Sequence, residues 1–324
     1  MGILRKIRPI VNFFKICYAE LMSQRNLAII ALILATLIWG AGAPIFKWAL
    51  VNIPPFSLAF LRFYLAVILL FPFSLRHLKI KREDFLPLLF SGLLGVTINI
   101  TFYFLGIQRT LAINASIITM TIPILTIFAA VFFLKERLSK KIIVATALST
   151  LGIIFIIGQP LLNGGPDIQL IGDFFLVLSA LSWVGYEIIS KRLFQRYTSL
   201  TVTFYSFLIG SLTFLPLALY EHNIDPYWIS RLDIRGIIGI TYGVFFTSIL
   251  AYLAWQWGLS KLSASEAGLF FHLNPVANIL IAIPLLGESI TVPFIIGAIL
   301  VGASVYLAEH KRVSHPLHGN SKTE

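Results

Sequence analysis

Residues 102–139 read FYFLGIQRTLAINASIITMTIPILTIFAAVFFLKERLS, and residues 252–291 read YLAWQWGLSKLSASEAGLFFHLNPVANILIAIPLLGESIT. At an offset of 152, Gly106 matches Gly258, Ala112 matches Ala264, Ala115 matches Ala267, Pro123 matches Pro275 and Glu136 matches Glu288. Repetition at a fixed spacing outranks local propensity when a fold is read. Each copy has a short loop, an apolar helix interrupted by proline, and an acidic residue at its end. Flanking segments repeat too. Trp39 matches Trp183 and Lys47 matches Lys191 at an offset of 144, and Leu151–Gly152 matches Val301–Gly302 at 150. The offset changes only in loops, as a duplicated bundle requires.

The 324 residues are 58% hydrophobic and only 12% charged. A soluble domain carries about 25% charged residues, so this chain belongs in a bilayer. Apolar runs lie near 27–46, 55–75, 85–107, 110–134, 141–158, 170–190, 200–220, 235–258, 264–286 and 290–308. Each approaches the ~20 residues that span a hydrocarbon core. The expected fold is all-α membrane, with ten transmembrane helices in two inverted five-helix repeats. The expected division is a basic amphipathic segment 1–26, repeats over 27–158 and 170–308, and a tail 309–324.

The net charge of +11 is distributed as a membrane topology demands. With the N-terminus in the cytoplasm, inside segments hold 20 Lys and Arg and outside segments hold 4. The positive-inside rule then puts both termini in the cytoplasm, and the cytoplasmic membrane is the expected location. Five spans per repeat carry the chain across, so the second repeat enters upside down. That architecture is typical of secondary transporters, with a substrate site near the midplane. The charge therefore does not point to nucleic acid. One cysteine excludes an internal disulfide framework. No CxxC, HExxH, P-loop or dinucleotide-binding pattern occurs, so neither metal nor cofactor is expected.

Pro123 and Pro275 interrupt the fourth and ninth spans, freeing the carbonyls of Thr119 and Phe271. Such groups need a protein partner or a wet cavity, so both prolines are candidate hinges. At 100° per residue, Ser116, Thr119, Pro123 and Thr126 share a face. Phe271, Pro275 and Asn278 share the corresponding face, flanked by His272 and Asn274. His272 is an ionisable group inside a span. It could hold substrate or a proton, or satisfy a freed carbonyl. Arg62 lies about two turns into the second span and must face the bundle or snorkel. It could bind a substrate carboxylate or phosphate, or pair with helix ends. Trp39, Tyr103, Trp183, Tyr186 and Trp255 are deep aromatic residues, suited to core packing or to the wall of an amphipathic cavity. Glu187, four residues before Lys191, reads as half of a solvated helix pair. Glu136 and Glu288 precede Ser139 and Thr291 by three residues and read as structural latches beside the next helix starts.

Trp39–Gly40, Arg62–Phe63 and the series Tyr103, Ala112, Ala115, Pro123, Glu136 resemble an EamA-type domain. Trp183, Tyr252, Ala264, Ala267, Pro275 and Glu288 resemble a second. Val184 and Ser206 depart from the pattern, standing where the first half has Gly40 and Arg62. The resemblance covers residues 27–308 and implies a ten-helix carrier of the drug/metabolite transporter superfamily. The expectation is a secondary transporter working by alternating access and exporting small organic metabolites, amino acids or related compounds, with a proton as candidate coupling ion. Rival readings are a lipid-modifying membrane enzyme and a lipid scramblase or channel. The enzyme would need clustered acidic or histidine residues in a surface loop. Oligomeric state is left open.

Overall fold

A computed structural model of the chain describes residues 24–134, isolated positions between 144 and 155, and residues 168–262 and 264–309. Nearly all of the basic N-terminal segment, most of the fifth apolar run, Glu136 and the tail lie outside the described residues. The first repeat contributes α1 (Gln24–Ala49), α2 (Pro55–Ser74), α3 (Arg82–Ile107), α4 (Ala112–Thr119) and α5 (Ile122–Leu134). The second contributes α6 (Ile168–Leu193), α7 (Ser199–Ile224), α8 (Ile234–Lys261), α9 (Ala264–Gly268), α10 (Asn274–Leu286) and α11 (Val292–Glu309). The fold is all-helical.

Among the described residues, seven helical stretches are long and apolar enough to cross a membrane. These are α1, α2, α3, the stretch Ala112–Ala129, α6, α7 and α8. Phe270–Leu286 and Val292–Ser304 are shorter apolar helices. The bundle's outer face carries exposed Phe73, Leu212, Leu280 and Ile299. An apolar belt on this scale is out of place in water and at home against acyl chains.

Local chemistry sets the ends. Pro54 and Pro55 open α2, where a missing N–H costs nothing. The Thr198 hydroxyl accepts from the Thr201 N–H, and Asp233 accepts from the N–H groups of Arg235 and Gly236. These are ordinary N-caps. Gly287 ends α10 in the left-handed region at φ 67°, which glycine adopts without a Cβ penalty.

The two prolines do more than kink their spans. The fourth span is broken at Met120–Thr121, and Pro123 lies in the first turn of α5. In the ninth, α9 gives way to a 3₁₀ segment, Leu269–Leu273, and Pro275 lies in the first turn of α10. In both spans the proline occupies a new helix start, where it is tolerated.

Spans three and eight are also irregular at equivalent places. α3 contains a π-helical turn at Leu93–Ile98, and α8 contains one at Tyr242–Ala251. The offset of 152 carries the first into the second. π-Bulges frequently mark functional sites. The carbonyl of Gly95 accepts from the Tyr252 hydroxyl at 3.0 Å, and that of its counterpart Thr247 accepts from the Trp39 indole at 3.1 Å.

Small residues bring the spans together. A Cβ on Gly40 would lie 2.3 Å from the Asn274 carbonyl oxygen, and one on Gly239 would lie 2.3 Å from the Ala49 Cβ. The first contact locks α1 of one repeat onto α10 of the other.

Candidate functional site

The repeats meet at an aromatic cluster. Trp39 and Trp183, repeat-related, pack edge to face with ring centroids 5.1 Å apart. Tyr252, Trp255 and Phe271 surround them, with Trp255 and Phe271 centroids 4.5 Å apart. A cavity of about 80 Å³ opens beside this cluster. Its wall contains four repeat-related pairs: Trp39 with Trp183, Thr119 with Phe271, Ile122 with Asn274, and Ile100 with Tyr252. The space therefore straddles the relation between the halves. Its volume accommodates a handful of waters.

Arg62 supplies the charge in that wall. Its residue is 2% exposed. The guanidinium sits 4.8 Å from the centroid of Phe46, 4.6 Å from Phe63 and 5.7 Å from Phe104. Nε donates to the Ser248 hydroxyl at 3.1 Å. Among the described residues no carboxylate lies within ion-pair reach of it. Cation–π contacts are worth about 2 kcal/mol or more when desolvated, which supports the charge without neutralising it. Glycine at 243 makes the room, since a Cβ there would lie 3.2 Å from Phe46 and 3.4 Å from Arg62.

A second polar network ties the halves together at one end of the bundle. Glu288, just after Gly287, accepts from the backbone N–H groups of Ala112 and Ile113 at 2.7 and 2.9 Å. These are unsatisfied donors of the α4 N-terminus, where an anion is favoured. Lys47 completes the pair at 2.9 Å and also donates to the Thr110 carbonyl at 2.6 Å. The Thr110 hydroxyl donates to buried Asp173 at 2.6 Å. At the opposite end Lys191, the counterpart of Lys47, donates to the Leu259 carbonyl at 2.5 Å and to that of Leu262, the counterpart of Thr110.

Of the expected site residues, the cavity wall brings together Trp39, Arg62, Tyr103, Thr119, Trp183, Phe271 and Asn274. The others stand elsewhere. Asn278 donates to the Ala112 carbonyl at 3.0 Å, joining α10 to α4. The Ser116 hydroxyl returns to the Ile113 carbonyl of its own helix. Trp255 is fully buried within the ring cluster, and the Tyr186 hydroxyl accepts from Gln256. His272 lies half-buried in the 3₁₀ segment, outside the cavity wall. Thr126 donates to Glu187 at 2.8 Å.

Two expectations need correction. Glu187 is not a solvated partner of Lys191. It is fully buried and bonded to Thr126, while Lys191 reaches carbonyls of α8 and the following turn. Glu288 does not serve the helix that follows it. Thr291 accepts from the Phe294 N–H there, and the carboxylate crosses to α4. Glu136 lies outside the described residues. Phe46, Asn99, Ser179 and Thr247 line the cavity without having been anticipated. Asn99 had a visible signal, an amide deep in an apolar run, and it donates to the Ser179 hydroxyl and carbonyl at 2.9 Å.

Two inverted helical repeats around a cavity between the halves define a membrane transporter. The chain belongs to the EamA-like transporter family, whose model matches residues 26–158 and 170–309. It is a transporter rather than an enzyme. It is 28% identical over 275 residues to an uncharacterized transporter, YyaM, of Bacillus subtilis (strain 168), covering 83% of this chain and 89% of that one. It is also 28% identical over 286 residues to a probable amino-acid metabolite efflux pump of Salmonella typhimurium (strain LT2), covering 85% and 92%. A solved crystal structure superposes with a TM-score of 0.61 at 17% identity, covering 89% of this chain and 96% of that one. That likeness speaks to the fold alone.

Proposed function

We propose that this transporter exports small carboxylate-bearing metabolites, amino acids or close relatives, by alternating access across the cytoplasmic membrane. Arg62 carries the reading. A guanidinium held among rings beside a cavity, with no carboxylate of the described residues in reach, offers a planar fork to a substrate carboxylate. The aromatic wall suits the apolar part of such a molecule and, through its ring faces, an ammonium group. The efflux role named for the Salmonella relative supports export as the direction. In this reading both termini are cytoplasmic, and Lys47 and Glu288 close the outer end.

Counterflow in proteoliposomes tests it, with a panel of labelled amino acids and their amide and methyl-ester analogues. The free carboxylates should exchange and the analogues should not compete. Arg62→Met should abolish exchange while the protein stays folded, and Arg62→Lys should retain a weakened fraction of it. Equal exchange of acids and esters, unchanged by Arg62→Met, refutes the carboxylate assignment.

A further inference from the structure

Glu187, like Asp173 on the same helix, is a fully buried carboxylate of α6, and it lies one turn from Trp183 of the ring cluster. The transport reading above leaves it unused. Oε2 accepts from the Thr126 hydroxyl of α5 at 2.8 Å. Oε1 is buried and has no hydrogen-bond partner among the described residues. The indole N–H groups of Trp183 and Trp255 are likewise buried without a hydrogen-bond partner among the described residues. Trp183, one helical turn away, lines the cavity. Glu187 thus lies one helical turn from a ring that a substrate in the cavity would touch.

Among the described residues no charged group pairs with an ionised carboxylate here. Lys191, the next turn along, directs its ammonium to the Leu259 and Leu262 carbonyls. α4 and α5 contribute no titratable side chain. α3 contributes Tyr103 and, at its far start, Arg82, Glu83 and Asp84; α8 contributes Tyr242, Tyr252, Lys261 and Arg235. Tyr252 donates to the Gly95 carbonyl. Tyr186, beside Glu187, has its hydroxyl on Gln256. The 3₁₀ segment beyond carries His272, and the Glu266 side chain of α9 lies outside the described residues. None of the described carboxylates or cations forms an ion pair with Glu187.

We infer that Glu187 is a proton-binding site of the transport cycle, occupied when the bundle is closed around it and emptied when water reaches it. In the closed arrangement a carboxylate would be an unpaired charge in a low-dielectric interior, which is costly. The carboxylic acid fits instead: Oε2 keeps the Thr126 bond, and the proton resides on Oε1. Hydration of the same group would favour loss of that proton to water. The proton then binds the two conformations unequally, as any ligand that shifts their balance must. Trp183, which lines the cavity one helical turn from Glu187, is the physical link to substrate. The sequence carries the same asymmetry: Ala43 stands at the corresponding place in the first repeat, so the duplication supplies no second copy of this site.

This site belongs to the carrier proposed above, and its test uses no substrate, so the two readings fail separately. Full-length protein in liposomes is adsorbed on a solid-supported membrane and given pH jumps, and the transient proton-binding charge is recorded against pH. Wild type should give a saturable transient. Glu187→Gln should lose it, Glu187→Asp should keep it with a displaced midpoint, and Asp173→Asn and His272→Gln should leave it in place. Thr126→Val, which removes the hydroxyl partner, should displace the midpoint in the same protein fold. A transient that survives Glu187→Gln, or that vanishes with Asp173→Asn or His272→Gln instead, overturns the assignment. Should Glu187→Gln not fold, an unmoved midpoint in both Thr126→Val and Glu187→Asp overturns it equally.

Discussion

Replacing Glu288 with alanine tests the contact that joins the repeats at the Lys47 end. The side chain is only 4% exposed. It satisfies two backbone donors at the start of α4 and one ammonium group. Hydrogen bonds to a charged group contribute about 1.5–3 kcal/mol each, and removing one partner of a buried pair costs about 3–5 kcal/mol. Two features put the expectation at the lower end. The Lys47 side chain is 24% exposed, so it can turn toward water, and it keeps the Thr110 carbonyl. Glu288→Ala should therefore cost about 3 kcal/mol, read as equilibrium unfolding in mixed detergent micelles. Lys47→Met should cost less, about 1–2 kcal/mol, because the carboxylate retains both helix donors. Glu288→Gln, which keeps an acceptor but no charge, should fall between wild type and alanine. The two sites share one interaction, so the double variant should be less destabilised than the sum of the singles by about 1 kcal/mol or more. A cost for Glu288→Ala below about 1 kcal/mol, or strict additivity with Lys47→Met, would show that the carboxylate does not hold the halves together.

Two further outcomes follow from the same geometry. Gly40→Ala places a Cβ 2.3 Å from the Asn274 backbone oxygen, so α1 and α10 must separate. The expected loss is about 1–3 kcal/mol, as for other overpacked sites, and an unchanged melting temperature refutes the contact. Orientation is read by single-cysteine labelling on a Cys17→Ser background in intact cells. Positions in 221–234 should react with an impermeant reagent and positions in 191–199 should not, whereas the reverse pattern would invert the topology argued from 20 against 4 basic residues.

The repeat, the apolar runs and the class of protein were legible because they depend on composition and spacing, which a linear sequence displays. Trp39, Trp183, Phe271 and Arg62 were legible for a related reason, being large or charged groups inside spans that a bilayer otherwise excludes. Which polar residues face the cavity was less so. Ser116, Thr119, Pro123 and Thr126 were placed on one face by continuing 100° per residue through Pro123. The chain breaks its helix at Met120–Thr121, which resets the phase, and of the four only Thr119 lines the cavity. The π-helical turns of α3 and α8 rotate their later residues in the same way and bring in Asn99 and Tyr252. Glu187 was misplaced for a different reason. Its i, i+4 spacing to Lys191 is a true statement about one helix, but it cannot reveal that Thr126 approaches from α5 or that Lys191 is held by carbonyls of α8 and the turn after it.

The departures from symmetry say where the chemistry lies. Inversion alone supplies a path. Trp39 faces Trp183, Lys47 and Lys191 take equivalent carbonyls, and π-turns occur at matching depths. Elements that are equivalent can exchange shapes across the membrane, which is what alternating access asks of them. A bound molecule, though, is not symmetric, and neither is a cycle with a direction. Arg62 has Ser206 as its counterpart, and Glu187 has Ala43. Both unmatched residues are buried, Arg62 in the cavity wall and Glu187 one helical turn from Trp183. In the readings proposed above, a duplicated scaffold with an unmatched cation and an unmatched acid gives different tasks to its halves: α2 of the first would hold the charge that meets an anionic group, and α6 of the second the group that changes its charge. Moving Arg62 to position 206, by Arg62→Ser with Ser206→Arg, asks whether place or mere presence matters. Ser206 is wholly buried and its hydroxyl contacts Ser91 at 3.2 Å rather than the cavity wall. The swapped protein should therefore bury the charge away from the Phe46, Phe63 and Phe104 rings that receive it at position 62, and lose both stability and transport.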